Sequence, residues 1–85
     1  MEEKSIVLQG IPIEVGTMVH PIKEIQFGPN FVFKPEAIGV IKSINVFTPE
    51  DIDINVEFFI AQGIAHCQNF KGYSFHTYMR KVNFK

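Results

Sequence analysis

The sequence predicts an all-β fold, a small barrel or orthogonal sandwich of four or five short strands. Residues 52–58 alternate apolar and polar side chains, which is the two-residue period of a strand with one buried face. Turn-forming glycine, proline and asparagine residues recur at short intervals. No segment has the length and spacing of a long amphipathic helix. Together these features favour short antiparallel strands joined by turns.

Length and composition predict one domain over residues 1–85. A chain of 85 residues buries only roughly 60% of its unfolded surface, so its core is small. Hydrophobic residues make up 46% and charged residues 20% of the sequence, which is typical of a globular protein. No apolar run approaches the roughly 20 residues that span a bilayer, and the first residues lack the pattern of a secretory signal. We therefore expect a cytoplasmic protein without a membrane partner.

The N-terminal residues 1–14 predict an edge strand or an N-terminal arm. Residues 5–15 are rich in β-branched side chains but contain Gly10 and Pro12, which do not suit a helix interior. Because proline cannot donate a backbone hydrogen bond, this segment is placed at a sheet edge. A short strand at residues 17–20 follows and ends before the next proline.

Residues 22–36 predict a long loop, because the alternation is lost and turn signals appear at residues 28–30 and 34–35. The loop carries three aromatic rings, those of Phe27, Phe31 and Phe33. Their exposure to water would forfeit several kcal/mol of burial, at about 25 cal/mol per Å² of apolar surface. The loop therefore either folds back onto the sheet or presents an apolar surface to a partner.

A hairpin at the centre of the chain is the strongest local prediction. Residues 37–47 and 52–58 form its strands, and residues 48–51 form a turn with proline at its second position. Gly39 predicts a bend or a close backbone approach. Lys42 interrupts the apolar side of the first strand, which predicts a strong bend there. The first-strand side chains expected on the apolar side are those of Ile38, Val40, Ile44 and Val46.

The C-terminal third predicts one further strand and a short helical turn. Gln62-Gly63 marks a reversal, and residues 64–70 form a third antiparallel strand. Residues 73–82 fit either a strand or a helix, because their apolar side chains have the spacing of one helical face with Ser74 as N-cap. We favour one helical turn followed by a final strand through Phe84.

The order of the predicted elements is a short strand, a long loop, a glycine-containing strand, a third strand and a helical turn before the last strand. The segments are residues 15–19, 37–44, 54–58 and 78–82. This order resembles the SH3-like small β-barrels, including the KOW and Tudor type, over about residues 15–84. The resemblance implies a five-stranded antiparallel barrel with a long first loop and a short helical turn near the C-terminus. The aromatic cage of Tudor domains and the proline-rich-peptide motif of SH3 domains are not assigned here, so neither ligand is implied.

Charge is distributed unevenly, although the net charge is only −1. Every acidic residue lies at or before Glu57, whereas all charged residues in 58–85 are lysine or arginine. One interpretation is an anionic partner. The other is that the two halves meet in the fold and neutralise each other across a sheet. The cations of the second half are Lys71, Arg80, Lys81 and Lys85.

The sequence contains no catalytic or metal-binding pattern. His66 and Cys67 are the adjacent pair suited to nucleophilic catalysis, but neighbours on a strand point to opposite faces. His20 and His76 are the remaining histidines, and their spacing is unlike that of zinc modules. The glycines are not spaced as in nucleotide-binding loops. We therefore predict that the protein is not an enzyme and uses no metal or cofactor.

Residues 70–81 interleave aromatic side chains with cations, as proteins that bind single-stranded nucleic acid do. Tyrosine and arginine are also enriched at protein interfaces, so the same region fits a protein partner. The members expected to be exposed are Tyr73, His76, Tyr78 and Arg80.

We predict a small non-catalytic binding module that acts by protein–protein interaction, with another protein or as a homo-oligomer joined by its edge strand. The predicted partner-binding residues are Phe27, Phe31, Phe33, Tyr73, His76, Tyr78 and Arg80. The alternative is binding of nucleic acid or an anionic small ligand by residues 70–81, whose affinity would fall steeply with added salt. The small size and the abundance of Ile, Lys, Asn and Phe, which AT-rich codons supply, favour a bacterial or phage accessory protein.

Overall fold

The computed structural model describes residues 1–61 and 63–83, and within them the chain forms ten strands and one short helix. The elements are β1 (Glu2–Glu3), β2 (Ser5–Leu8), β3 (Ile11–Glu14), β4 (Met18–Pro21), β5 (Ile25–Phe27), β6 (Phe31–Phe33), β7 (Gly39–Thr48), β8 (Asp51–Ala61), β9 (Ile64–Lys71), α1 (Gly72–Tyr78) and β10 (Met79–Lys81). The prediction of an all-β fold is confirmed.

The main sheet has the strand order β10-β4-β7-β8-β9, and all neighbours are antiparallel. β1 also pairs with β7, which brings this sheet to six strands. The described residues form two further sheets of two strands each, β2–β3 and β5–β6. The path of the main sheet begins at β10 and ends at β9, so these sheets are open. The antiparallel architecture agrees with the sequence analysis, whereas a closed five-stranded barrel is not confirmed.

β7 carries a bulge at the lysine that interrupts its apolar side, where a bend was predicted. Its pairing with β8 shifts register between Ile41 and Ser43, which leaves Lys42 as the inserted residue. On its other edge, β7 pairs with β4 before the bulge and with β1 after it. The predicted bend therefore coincides with a change of strand partner.

The bulge also reverses which side chains of β7 face the core. Before it the buried side chain is that of Ile41, and after it that of Ile44. The predicted inward orientation was wrong for Ile38, which is exposed, and for Val40, which is only half-buried. An inserted residue shifts the two-residue alternation by one, and the sequence analysis had continued a single alternation through the strand.

Gly39 lies where β7 crosses the centre of the core. On β8, Ile54, Val56 and Phe58 are fully buried, as their alternation predicted. A Cβ atom added at Gly39 would lie 2.6 Å from Val56 Cγ1 and 2.9 Å from Phe58 Cε1. The predicted close backbone approach is therefore present, and it requires glycine.

Residues 1–14 fold as a short strand and a hairpin, which differs from the single edge strand or arm that we expected. β2 and β3 pair around the two-residue turn of Gln9 and Gly10, whose φ angles are 53° and 80°. Positive φ at both positions is what a type I′ hairpin turn requires. The hairpin buries Leu8 and Ile13 in the main core cluster.

The C-terminal segment is helical and then extended, as favoured by the sequence analysis. α1 begins at Gly72, earlier than the predicted N-cap at Ser74. Phe75 and Met79 are buried, and β10 follows α1 directly. Gln62 of the predicted reversal and the predicted strand end at Phe84 lie outside the described residues. α1 is far too short to span a bilayer, and no other described segment forms a helix with the length and hydropathy of a membrane span.

Candidate protein-interaction surface

The three phenylalanines of the predicted loop pack onto the main sheet, because residues 25–33 form the β5–β6 hairpin. Phe33 is buried and its ring stacks on that of Phe58, with centroids 4.2 Å apart. Phe31 is half-buried and stacks on His66 at 4.1 Å. Phe27, also half-buried, lies 5.7 Å from the ring of Phe33. The loop therefore folds back onto the sheet, and only the exposed parts of Phe27 and Phe31 can reach a partner.

The aromatic and basic residues predicted near the C-terminus do not form one surface. Tyr73 is exposed and lines a concavity beside the β2–β3 hairpin, whereas His76 and Arg80 line a different one. His76 Nε2 lies 3.0 Å from the carbonyl oxygen of Leu8. Because a carbonyl can only accept, Nε2 donates its hydrogen in this bond. Tyr78 is half-buried and packs against the core.

The charge asymmetry of the sequence is partly neutralised across the sheet. Lys71 Nζ, on β9, lies 2.7 Å from Asp53 Oδ1 and 3.5 Å from Asp51 Oδ1, both on β8. The hydrogen bond from Lys71 to Asp53, followed by the charges of both carboxylates, raises the lysine pKa above its ordinary value. On the neighbouring pair of strands Lys42 lies 3.8 Å from Glu57. Lys71 is therefore engaged within the chain.

The cysteine and the histidines do not converge. Cys67 is exposed, with its Sγ 3.9 Å from Glu57 Oε2. His66 lies on the other face of β9, where its Nε2 is 3.1 Å from Gln68 Oε1. His20 Nδ1 lies 2.9 Å from a main-chain carbonyl of its own strand. Within residues 1–61 and 63–83, no group of three or more His, Cys, Asp or Glu side chains is placed to hold a metal ion.

Three exposed apolar side chains lie at the end of the β8–β9 hairpin, a site that was not predicted from the sequence. Phe59 is 60% exposed, Ile64 57% and Ile60 46%. Phe58 points into the core, so Phe59 points outward, opposite Ala65 of β9. A register shift follows directly after this pair. We call Phe59, Ile60 and Ile64 the apolar tip.

A sequence signal for the apolar tip does exist. Four consecutive apolar residues, 58–61, end a strand that otherwise alternates, so at least one of them must face outward. Residues 58–70 also contain no Asp, Glu, Lys or Arg. The centres of protein interfaces are likewise depleted in charge and enriched in aromatic residues.

The outer edge of β9 is open beside the apolar tip. β9 is the last strand of the main sheet and pairs only with β8 among the described strands. Natural proteins usually protect such edges with lysine, proline or a covering segment. From Ile64 to Phe70 the strand contains neither lysine nor proline, and the first lysine is Lys71 at its end. The edge therefore offers main-chain donors and acceptors to an added strand.

Comparison with known proteins gives no match: no protein-family model, no curated protein and no solved structure is significantly similar to this chain.

Proposed function

We propose that this chain is a small non-catalytic binding module that binds another protein through the apolar tip and the outer edge of β9. The observation that carries the proposal is an uncharged hairpin end that exposes a phenylalanine and two isoleucines beside an open strand edge. Full burial of each such side chain is worth about 1.5–3 kcal/mol. Three of them at one end of a hairpin supply the apolar anchor that a protein interface needs.

The binding mode that fits this surface is addition of a strand. An extended segment of the partner pairs with the edge of β9 through main-chain hydrogen bonds, beside Ile64 and Ala65. The ring of Phe59, on β8, reaches this segment over the small side chain of Ala65, which lies between them. Main-chain pairing supplies affinity with little sequence selectivity, so the apolar tip determines which segments bind. The partner segment is therefore apolar at the position that meets Phe59.

The SH3-like resemblance belongs to the same proposal. β4, β7, β8, β9 and β10 follow the order that the resemblance implies, and residues 22–38 correspond to the long first loop. Gly39 lies in the second of these strands, and α1 directly precedes the last. These features support an opened form of an SH3-like arrangement, to which the β2–β3 hairpin is added.

Nucleic-acid binding by residues 70–81 receives less support. Lys71 is engaged by two carboxylates, and Tyr73 faces a different concavity from Arg80. Stacking on bases requires rings and cations along one surface.

The chain offers a matched pair of variants for the test. Phe47 and Phe59 are the same residue type, and each is 60% exposed. Phe47 lies at the end of β7, beside the start of β8, whereas Phe59 lies near the other end of β8. We expect Phe59→Ser to lose a protein captured from a lysate of the source organism, and Phe47→Ser to retain it. Capture is measured by mass spectrometry, with and without nuclease, after thermal unfolding has shown that both variants are folded.

Equal capture by Phe59→Ser and the wild-type chain would overturn the assignment to the apolar tip. Loss of the captured protein after nuclease treatment, together with salt-sensitive binding, would favour the nucleic-acid alternative instead.

A further inference from the structure

A groove lies between the β2–β3 hairpin and the β4–β10 edge of the main sheet, away from the apolar tip. Its volume is about 210 Å³. The apolar side chains that line it include those of Ile13, Val19, Ile41, Phe75 and Met79, which are all buried in the core. At about 30 Å³ for each water-sized group, this space holds roughly seven non-hydrogen atoms. The groove therefore fits a short apolar chain.

The polar side chains of the groove are mainly basic. Arg80, Lys81 and His76 line it, and no carboxylate is among its lining residues in the described chain. Glu14 shares a neighbouring concavity with Lys81. No ion pair within 4.0 Å joins Arg80 or Lys81 to a described carboxylate. Positive charge at the rim of an apolar groove is complementary to a ligand with an anionic head and an apolar tail.

The backbone of β10 adds a donor at the same rim. Tyr78 O accepts from Ile22 N, and Val82 N donates to Met18 O. In an antiparallel pair, successive residues direct their backbone groups to opposite edges, so Lys81 N–H points away from β4. β10 ends the main sheet on this side, and this N–H is open to a ligand.

We propose that this groove binds a small carboxylic acid with a short apolar tail. The tail lies along the exposed side chains of Ile11 and Pro12, over the floor formed by Val19, Phe75 and Met79. The carboxylate accepts hydrogen bonds from the Arg80 guanidinium and from Lys81 N–H. The site is separate from the proposed protein-binding surface, and its chemistry does not depend on a partner at the apolar tip.

The test is a titration of the ¹⁵N-labelled chain with hexanoate, followed by amide chemical shifts. We expect saturable shifts at the amides of Ile13, Val19 and Lys81. Hexan-1-ol has the same tail without the charge, and acetate has the charge without the tail. Both are expected to bind at least tenfold more weakly than hexanoate.

Arg80→Gln removes the guanidinium from an exposed position and is expected to raise the Kd for hexanoate about tenfold, which is the effect of losing one charge-assisted hydrogen bond. Lys71→Gln removes a cation that does not line the groove and should leave this Kd unchanged. Phe59→Ser should also leave it unchanged, so that failure of this proposal and failure of the proposed function are distinguishable. Absence of saturable shifts, or equal binding of hexan-1-ol and hexanoate, would overturn the carboxylate site.

Discussion

Two aromatic regions of this molecule have similar composition and opposite exposure. The β5–β6 hairpin carries Phe27, Phe31 and Phe33, and all three pack onto the main sheet. The apolar tip carries Phe59 with two isoleucines, and these three side chains are 46–60% exposed. The sequence analysis selected the first region as a partner surface and did not select the second.

The difference shows that the position of a residue along its strand decides exposure more than its hydrophobicity does. The β5–β6 hairpin lies in the long connection between β4 and β7, which is long enough to turn back onto the main sheet, so its rings contact Phe58 and His66. The apolar tip projects from the end of two paired strands, and no described element covers it. We therefore propose the apolar tip, and not the β5–β6 hairpin, as the partner surface.

The largest expected effect separates the two regions by stability. Phe33→Ala removes a buried ring that stacks on Phe58, and we expect it to lower the free energy of unfolding by about 3–5 kcal/mol. Phe59→Ala removes an exposed ring and should change it by less than about 0.5 kcal/mol. Urea denaturation followed by circular dichroism measures both. Similar losses for the two variants would contradict the contrast.

The next effect concerns the glycine that lets β7 approach the buried rings. Gly39→Ala places a methyl group against Val56 and Phe58, and we expect a loss of about 1–3 kcal/mol from overpacking. The same substitution in a Val56→Ala background should cost less, because the nearest clashing atom, Val56 Cγ1, is gone. A double-mutant cycle from denaturation midpoints measures this coupling. If the losses in unfolding free energy of the two single variants were strictly additive in the double variant, the contact with Val56 would not be the cause of the Gly39→Ala loss.

A smaller effect tests the stacking that holds the β5–β6 hairpin on the sheet. The rings of Phe31 and His66 are 4.1 Å apart and inclined by 21°. We expect a coupling of about 0.5–1.5 kcal/mol between Phe31→Ala and His66→Ala in a double-mutant cycle. Zero coupling would mean that the half-buried ring is free to meet a partner, as the sequence analysis had proposed.

The smallest effect concerns the charges of the β8–β9 hairpin at the end opposite the apolar tip. The pKa of Lys71 is raised chiefly by its hydrogen bond to Asp53. A raised folded-state pKa means that the contribution of this lysine to stability is complete below its unfolded-state pKa. The contribution is lost as pH rises through the folded-state value, in the range above about pH 10.

Asp53→Asn keeps the shape of the partner and removes its charge. We expect it to move the Lys71 pKa back toward the ordinary lysine value, as followed by NMR titration of the side chain. Glu50→Gln alters a neighbouring carboxylate that does not pair with Lys71 and is the control. An unchanged pKa in Asp53→Asn would contradict the assigned cause.

Local patterns were sufficient to predict the central hairpin. The alternation of Ile54, Val56 and Phe58 and the turn at Pro49 depend on neighbours within a few residues. The close approach of Gly39 to β8 depends on one facing strand. The N-terminal hairpin was missed because Gln9-Gly10 is not one of the most common two-residue turns, and Pro12 suggested an isolated edge. The reversed inward face of β7 was missed because Lys42 was interpreted as a bend within one continuous alternation, and not as an inserted residue that shifts the alternation by one.

The candidate site was harder to predict than the fold. The burial of Phe33 depends on where residues 22–36 pack on the main sheet, and this is determined by contacts between residues far apart in sequence. The outward direction of Phe59 follows from the two-residue alternation of side chains on β8, so the apolar tip was predictable from the sequence pattern alone. The groove was not, because it joins Ile13 from the N-terminal hairpin to Arg80 near the end of the described chain.

The pairing of β10 with β4 also has a consequence for folding kinetics. Met79 lies opposite Pro21, so this pair of strands can form only after most of the chain has been brought together, at a large loop-closure entropy. β7, β8 and β9 are successive hairpin neighbours and require far shorter closures. We expect the three-stranded meander to be structured in the transition state and β10 to dock late. Substitutions in β10 should therefore accelerate unfolding in stopped-flow measurements while leaving the refolding rate nearly constant.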